Sequence, residues 1–213
     1  MGRYVAREMP SWPRIGALVR CQLTWLTAAD RSNHNCPVKL VLITGPPGTG
    51  KSTLAEVAAV HLGAAILAWD WVMAGLTGFD EVQRAFQAME RERYRQVGWS
   101  IISNLATAQL RRGESVVLDG VARDDEVAHF RCLVGDLGAD ALIVSTACSN
   151  VTIHRSLVDG RIRGIPGWHE LDWKHVESVR SAWTEPADAD LRLDASSPLT
   201  TNRDLLVQAL TSS

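Results

Sequence analysis

Gly45, Pro46, Pro47, Gly48, Thr49, Gly50, Lys51, Ser52 and Thr53 are a run whose residue types and spacing suit one chemistry, the grip on a chain of phosphates. Gly45 and Gly50 stand five residues apart and Lys51 and Ser52 follow at once, which is the GxxxxGK[ST] pattern. Glycines let the backbone curl until successive N–H groups point inward at phosphate oxygens. A helix opening at Lys51 would add the positive end of its dipole. Lys51 is then placed to reach the β- and γ-phosphates of a nucleoside triphosphate such as ATP, and Ser52 to hold Mg²⁺.

Two carboxylates complete the set. Asp70 follows the apolar segment Ala65, Ile66, Leu67, Ala68, and Asp119 follows Val116, Val117, Leu118. Transfer of a phosphoryl group needs a metal holder beside the triphosphate and a group that orients and deprotonates the attacking hydroxyl. Asp70 is the candidate base, because it opens a segment able to line an acceptor pocket through Trp71, Val72, Met73, Leu76 and Phe79. Asp70 also stands where a side chain would cap a helix beginning at Trp71. Asp119 is the candidate Mg²⁺ contact, direct or through water, and Gly120 after it also fits a simple turn.

These groups need elements to hold them. Leu40 to Ile43 is a continuous apolar run, the pattern of a strand buried on both faces as parallel strands are. Helix is expected over residues 51–62, strand over 65–68, one long helical region over 82–112 ending at Gly113, and strand over 115–118. A helix over 124–136, a strand over 141–145, a helix over 150–159, a helix running to Trp183, a strand over 189–193 and a helix over 202–210 follow. The alternation predicts an α/β fold, a three-layer αβα sandwich around a five-stranded, mainly parallel sheet. Active sites of such sheets lie at the carboxyl ends of the strands, which is where Asp70 and Asp119 fall.

Residues 160–169 combine Gly160, Gly164, Pro166 and Gly167 with Arg161, Arg163 and Trp168 and read as a mobile loop able to close over a triphosphate and exclude water. A solvated connector is the plainer alternative. Residues 1–37 differ in composition, with Arg, Trp and three prolines, and are expected to form an extension holding a short amphipathic docking helix and a linker. The catalytic unit is expected over residues 38–213, with its lid at about 155–169.

Composition narrows the classes. A net charge of −2, with 22 Lys and Arg against 24 Asp and Glu, supplies no basic field for nonspecific nucleic-acid binding. Cys21, Cys36, Cys132 and Cys148 lie far apart with no zinc-ligand spacing, and read as reduced thiols. No run approaches the roughly 20 apolar residues of a membrane span, so the reading is a cytoplasmic protein. Monomer and dimer both stay open. The histidines show no metal-ligand spacing; His154 and His169, near the lid, stand apart from the rest only by position.

With these motifs together, the chain from about residue 38 onward resembles the P-loop kinases that include chloramphenicol phosphotransferase, the kinase domain of polynucleotide kinase and the zeta-toxin-like sugar-nucleotide kinases. The resemblance rests on the GPPGTGKST loop, on Leu67-Ala68-Trp69-Asp70, on Val-Val-Leu-Asp119-Gly followed by Arg123, and on the arginine-rich lid before Trp-containing helices. It implies a P-loop NTPase fold of the nucleotide-kinase kind with strand order 2-3-1-4-5. It further implies Asp70 as activator of the acceptor hydroxyl, Arg155, Arg161 or Arg163 over the transferred phosphate, and Arg123 at substrate or phosphate. A surface ion pair of Arg123 with the acids at 124–126 fits the sequence equally.

The chain departs from that group in its extension and in its tryptophans, with Trp69, Trp71, Trp99, Trp168, Trp173 and Trp183 in the catalytic part. Rings near Asp70 would stack on a flat or sugar-bearing acceptor, or else form core. The expected activity is therefore transfer of the γ-phosphate of ATP to a hydroxyl of a small molecule such as an antibiotic, nucleoside or sugar. The competing readings are a nucleotide-dependent ATPase or switch serving a protein partner, and a 5′-hydroxyl nucleic-acid kinase.

Overall fold

The computed structural model describes residues 38–212. The extension expected over residues 1–37 lies outside the described residues. Along the chain come β1 (Lys39–Thr44), α1 (Lys51–Leu62), β2 (Ala65–Ala68), α2 (Trp69–Thr77), α3 (Asp80–Gln87), α4 (Arg91–Leu110), β3 (Val116–Asp119), α5 (Asp124–Leu137), β4 (Asp140–Ala147), α6 (Val151–Val158), α7 (Trp173–Ala182), β5 (Leu191–Asp194) and α8 (Leu199–Ser212).

The five strands pair in the order β2-β3-β1-β4-β5, and every pair is parallel. β1 is central and wholly buried, as its sequence KLVLIT requires: apolar side chains on both faces need cover on both faces. That cover comes in two cores. Leu40 and Leu42 point with Val116 and Leu118 toward Ile102, Ala106 and Phe130 of α4 and α5. Val41 and Ile43 pack with Val117 and Val144 against Leu54, Ala55 and Ala58 of α1 and Leu206 and Leu210 of α8. Each Val, Leu, Ile or Phe side chain so removed from water stabilises the fold by about 1.5–3 kcal/mol before entropy is counted.

Helix ends follow local chemistry. α1 stops at Gly63, which takes the left-handed conformation (φ 61°) that a β-carbon disfavours. Asn150 caps α6 by accepting from the Thr152 and Ile153 amides, and Asp172 caps α7 by accepting from His175 N at 2.7 Å. The single helical region expected over 82–112 is instead two helices, α3 and α4. Glu90 adopts an extended backbone (φ −62°, ψ 145°) and redirects the chain although no Gly or Pro marks the break. The bend sets Phe86 edge-on to Tyr94 at 5.1 Å. Tertiary contact between rings here outweighs an uninterrupted local pattern. No helix among the described residues is long and apolar enough to cross a membrane.

Candidate active site

The turn between β1 and α1 runs at the carboxyl edge of the central strand. Gly45, Gly48 and Gly50 have φ of 149°, 84° and 81°, a region where L side chains are strained. Gly50 is the N-cap of α1 and no side chain caps the first-turn amides, which leaves those donors for an anion. The loop is fastened from below. The Thr49 hydroxyl donates to the Pro46 carbonyl at 2.8 Å and lies 2.6 Å from the hydroxyl of Thr146 on β4. His154 Nε2 sits 2.8 Å from the Pro47 carbonyl, so this nitrogen carries the hydrogen. Lys51 folds over the loop, its Nζ donating to Pro46 O at 2.9 Å.

His154 is fully buried on α6, edge-on to Trp173 at 5.4 Å, and its Nδ1 has no partner among the described residues. Burial lowers its pKa, the Pro47 hydrogen bond opposes that, and Arg180 and Lys51 lower it further. The ring is thus a neutral strut beneath the loop. The unfolded chain takes up this proton as pH falls through about 6.5 while the folded protein resists it, so His154 removes stability on the acid side of that value. His154→Phe is expected to flatten that part of the stability–pH curve in thermal melts. The same variant should weaken nucleotide binding by about five- to tenfold in calorimetry, since one hydrogen bond to the loop is lost.

Strand register sets the two carboxylates. Asp119, the last residue of β3, pairs with Ile43 of β1 and with Ala68 of β2, and Asp70 lies two residues beyond Ala68. Both therefore emerge at the edge that carries the glycine turn. Asp119 is buried; burial raises its pKa, while Lys51 and the Ser52 hydroxyl act to lower it. A carboxylate in that state is relieved by a cation, and with the Ser52 hydroxyl it forms a pair of hard oxygen donors that fits Mg²⁺. Burial also lowers the pKa of Lys51, opposed by Asp119 and Asp70, with Arg161 and Arg163 acting in the same sense as burial. The two lid arginines are thus within electrostatic reach of the loop.

Asp70 does not cap a helix: α2 begins at Trp69 with Ala68 as N-cap and no side-chain cap bond. Its Oδ2 instead accepts from Arg163 Nη1 at 2.6 Å. Glu170 shapes the lid behind this pair, accepting from the backbone amides of Arg163 (2.9 Å) and Gly164 (3.3 Å), and the Arg163 Nη2 also reaches the His169 carbonyl.

A cavity of about 660 Å³ joins these parts. Its wall takes in Pro47, Gly48, Gly50, Lys51 and Ser52 from the loop and the start of α1, Asp70 and Trp71 from α2, Asp119 at the end of β3, and Arg161 and Arg163 from the segment after α6. Arg123 is on the wall too, at the N-cap of α5, and its Nη1 pairs with Glu92 Oε2 at 2.9 Å rather than with the acids that follow it. Thr49 and Thr53 do not contribute to the wall, and neither does Arg155. Arg155 is exposed and faces Asp159 one turn on at 3.5 Å, as helical i,i+4 spacing dictates. Of Arg155, Arg161 and Arg163, only the last two reach the cavity.

Sequence reasoning did not find Arg95, whose guanidinium donates to Glu126 Oε1 (2.7 Å) and the Val121 carbonyl (2.9 Å) and holds the segment after β3. It missed Glu170 and the role of His154 as well. Their positions follow from contacts separated by 26 to 107 residues, or from the lid's own curl, and carry no motif. Trp69 is seated by space that two glycines leave: a β-carbon on Gly98 would lie 2.3 Å from its Nε1, and one on Gly120 3.1 Å from its Cβ.

The fold is shared with solved structures, kinases among them. A gluconokinase from Sinorhizobium meliloti 1021 matches with TM-score 0.60 at 16% identity, over 83% of this chain and 93% of its own. The APS kinase CysC of Mycobacterium tuberculosis, in complex with AMPPNP and APS, matches with TM-score 0.58 at 19% identity, over 84% and 99%. Kti12 of Chaetomium thermophilum, in complex with ADP-AlF3, matches with TM-score 0.59 at 12% identity, over 81% and 97%. No protein of curated function matches the chain. The model of the AAA domain family AAA_33 matches residues 40–159, over half of the sequence and all of the loop, Asp70 and Asp119, and the chain accordingly belongs to that family, on the P-loop kinase fold.

Proposed function

We propose that this chain is a phosphotransferase that moves the γ-phosphate of ATP to a hydroxyl of a small-molecule acceptor. The observation that carries the reading is one cavity shared by the glycine loop with Lys51, the Asp70 carboxylate and two lid arginines. The loop amides and Lys51 would bind the phosphates and balance their charge. Asp70 would accept the proton of the acceptor hydroxyl as its oxygen bonds to the γ-phosphorus; the bond from that phosphorus to the bridging oxygen breaks, and ADP leaves. Arg161 would lie over the transferred group and Arg163 would orient Asp70. Ser52 and Asp119 would hold Mg²⁺, which when bound neutralises phosphate charge.

The Arg163–Asp70 pair gives a reason for coupling chemistry to the acceptor. While paired, Oδ2 of the carboxylate is engaged by a guanidinium 2.6 Å away, so hydrolysis without an acceptor should stay slow. The test is ADP release by the full chain with Mg-ATP, alone and against a panel of alcohols. At least one alcohol should raise the rate by roughly 10²-fold or more over the acceptor-free rate. Uniform slow hydrolysis across the panel, stimulated instead by a protein partner, would replace this reading with the ATPase or switch.

A further inference from the structure

Beside Asp70 the cavity changes character. Trp69 stands edge-on to Tyr94 (5.5 Å, 77°) and to Trp168 of the lid (6.2 Å, 70°), so three rings meet at near right angles on one side of the candidate base. All three line the cavity. Trp168 tilts in turn onto His169 at 4.9 Å. At the mouth, Trp71 and Ile162 stay 56% and 82% exposed although both belong to the cavity wall. Apolar area left wet on a concave wall is area a ligand gains by covering.

Three guanidiniums on this side are already paired within the chain. Arg163 is held by Asp70, Arg95 by Glu126, and Arg123 by Glu92, at 2.6, 2.7 and 2.9 Å. An anionic acceptor would have to compete with one of these carboxylates for its guanidinium, which is costly at Glu126, whose side chain is 8% exposed, and cheaper at Asp70 and Glu92, which stay in water. Arg161 belongs to the phosphate side, where it acts on Lys51 and Asp119. Arg91, exposed at the start of α4, is the other guanidinium on the wall. Three enclosed nitrogens on this wall lack a hydrogen-bond acceptor among the described residues: Trp168 Nε1, Arg95 Nε and Arg163 Nε.

We infer that the half of the cavity between Asp70 and Trp168 takes a neutral, ring-bearing alcohol, its ring laid against the wall that Trp69, Tyr94 and Trp168 form and its hydroxyl toward Asp70. Trp168 is then the residue that sets specificity, because it completes the ring wall from the same loop that carries Arg161 and Arg163. The inference rests on the phosphotransferase reading for the fate of the hydroxyl and stands without it for the ligand class.

Binding separates the two. 2-Naphthylmethanol and gluconate, as neutral-ring and anionic-polyol probes, are titrated into the full chain with Mg-ADP present and followed by saturation-transfer NMR and calorimetry. The naphthyl alcohol should bind saturably with Kd of about a millimolar or below, as a ligand of this size can. Trp168→Ala should weaken it about tenfold, Trp168→Phe should restore most of the affinity, and Mg-ADP binding should stay unchanged in both. Gluconate should neither bind at that concentration nor displace the aromatic alcohol. Tighter binding of gluconate, no binding of the naphthyl alcohol, or equal affinity in wild type and Trp168→Ala would overturn the inference. Trp168-dependent binding without ADP release from any alcohol would uphold the ring site and remove the phosphotransferase reading.

Discussion

Asp70→Asn, assayed with Mg-ATP and the best alcohol of the panel, is expected to lose phosphoryl transfer by roughly 10²-fold or more while binding Mg-ADP as the parent does. The substitution keeps shape and an oxygen that accepts from Arg163, whose Nη1 lies 2.6 Å from the present carboxylate. The lid therefore retains its anchor, and what disappears is the capacity to take a proton. The glycine loop makes no hydrogen bond to Asp70, so the phosphate grip should survive. Calorimetry reads the nucleotide affinity and ADP release reads the transfer. A loss confined to kcat fits a base that acts in the transition state; a raised acceptor KM with kcat unchanged would mean that Asp70 only holds the acceptor. Turnover within a few fold of the parent would remove Asp70 from the chemistry.

Gly45→Ala carries the largest expected cost in stability. A β-carbon there would fall 2.1 Å from the Thr146 carbonyl oxygen and 2.4 Å from its hydroxyl, and φ is 149°. The obstacle is backbone of β4, which is paired on both sides and cannot withdraw. Overpacking against an immovable strand together with an unfavourable backbone conformation should cost about 3 kcal/mol or more. For a unit of this size that is a fall in Tm of about 6–12 °C. Gly50→Ala is the internal comparison. Its φ of 81° imposes conformational strain, but nothing lies within 4 Å of the added carbon, so its cost should stay near 1–2 kcal/mol. Equal melting temperatures for the two variants would refute the steric account of Gly45.

The positions of the glycines and of the strands were both legible in the residues, for different reasons. Leu40 to Ile43 reads as a strand buried on two faces, and the loop pattern that follows suits a tight turn into a helix, so β1, the turn and α1 stand where expected. Asp70 and Asp119 were legible because each ends an apolar run, and the parallel register carries both to one edge. The break between α3 and α4 was not legible. The break coincides with the meeting of Phe86 and Tyr94, and periodicity has no term for such a contact. Arg155 and Arg163 looked alike in sequence; helical phase turns the first toward Asp159 and the lid's curl turns the second toward Asp70.

The amino-acid sequence by itself determined the chemistry on offer: a phosphate cradle with its lysine and hydroxyl, two acids at strand ends, and a loop rich in arginine. These depend on neighbours in the chain, where bond geometry and local hydrogen bonding leave few choices. Tertiary structure alone decided which arginine meets Asp70, that His154 braces the loop through Pro47, and that Trp69, Tyr94 and Trp168 form one wall. Each of these joins segments tens of residues apart, and their meeting is set by how helices pack on the sheet, a sum over many weak contacts that no short stretch of residues encodes.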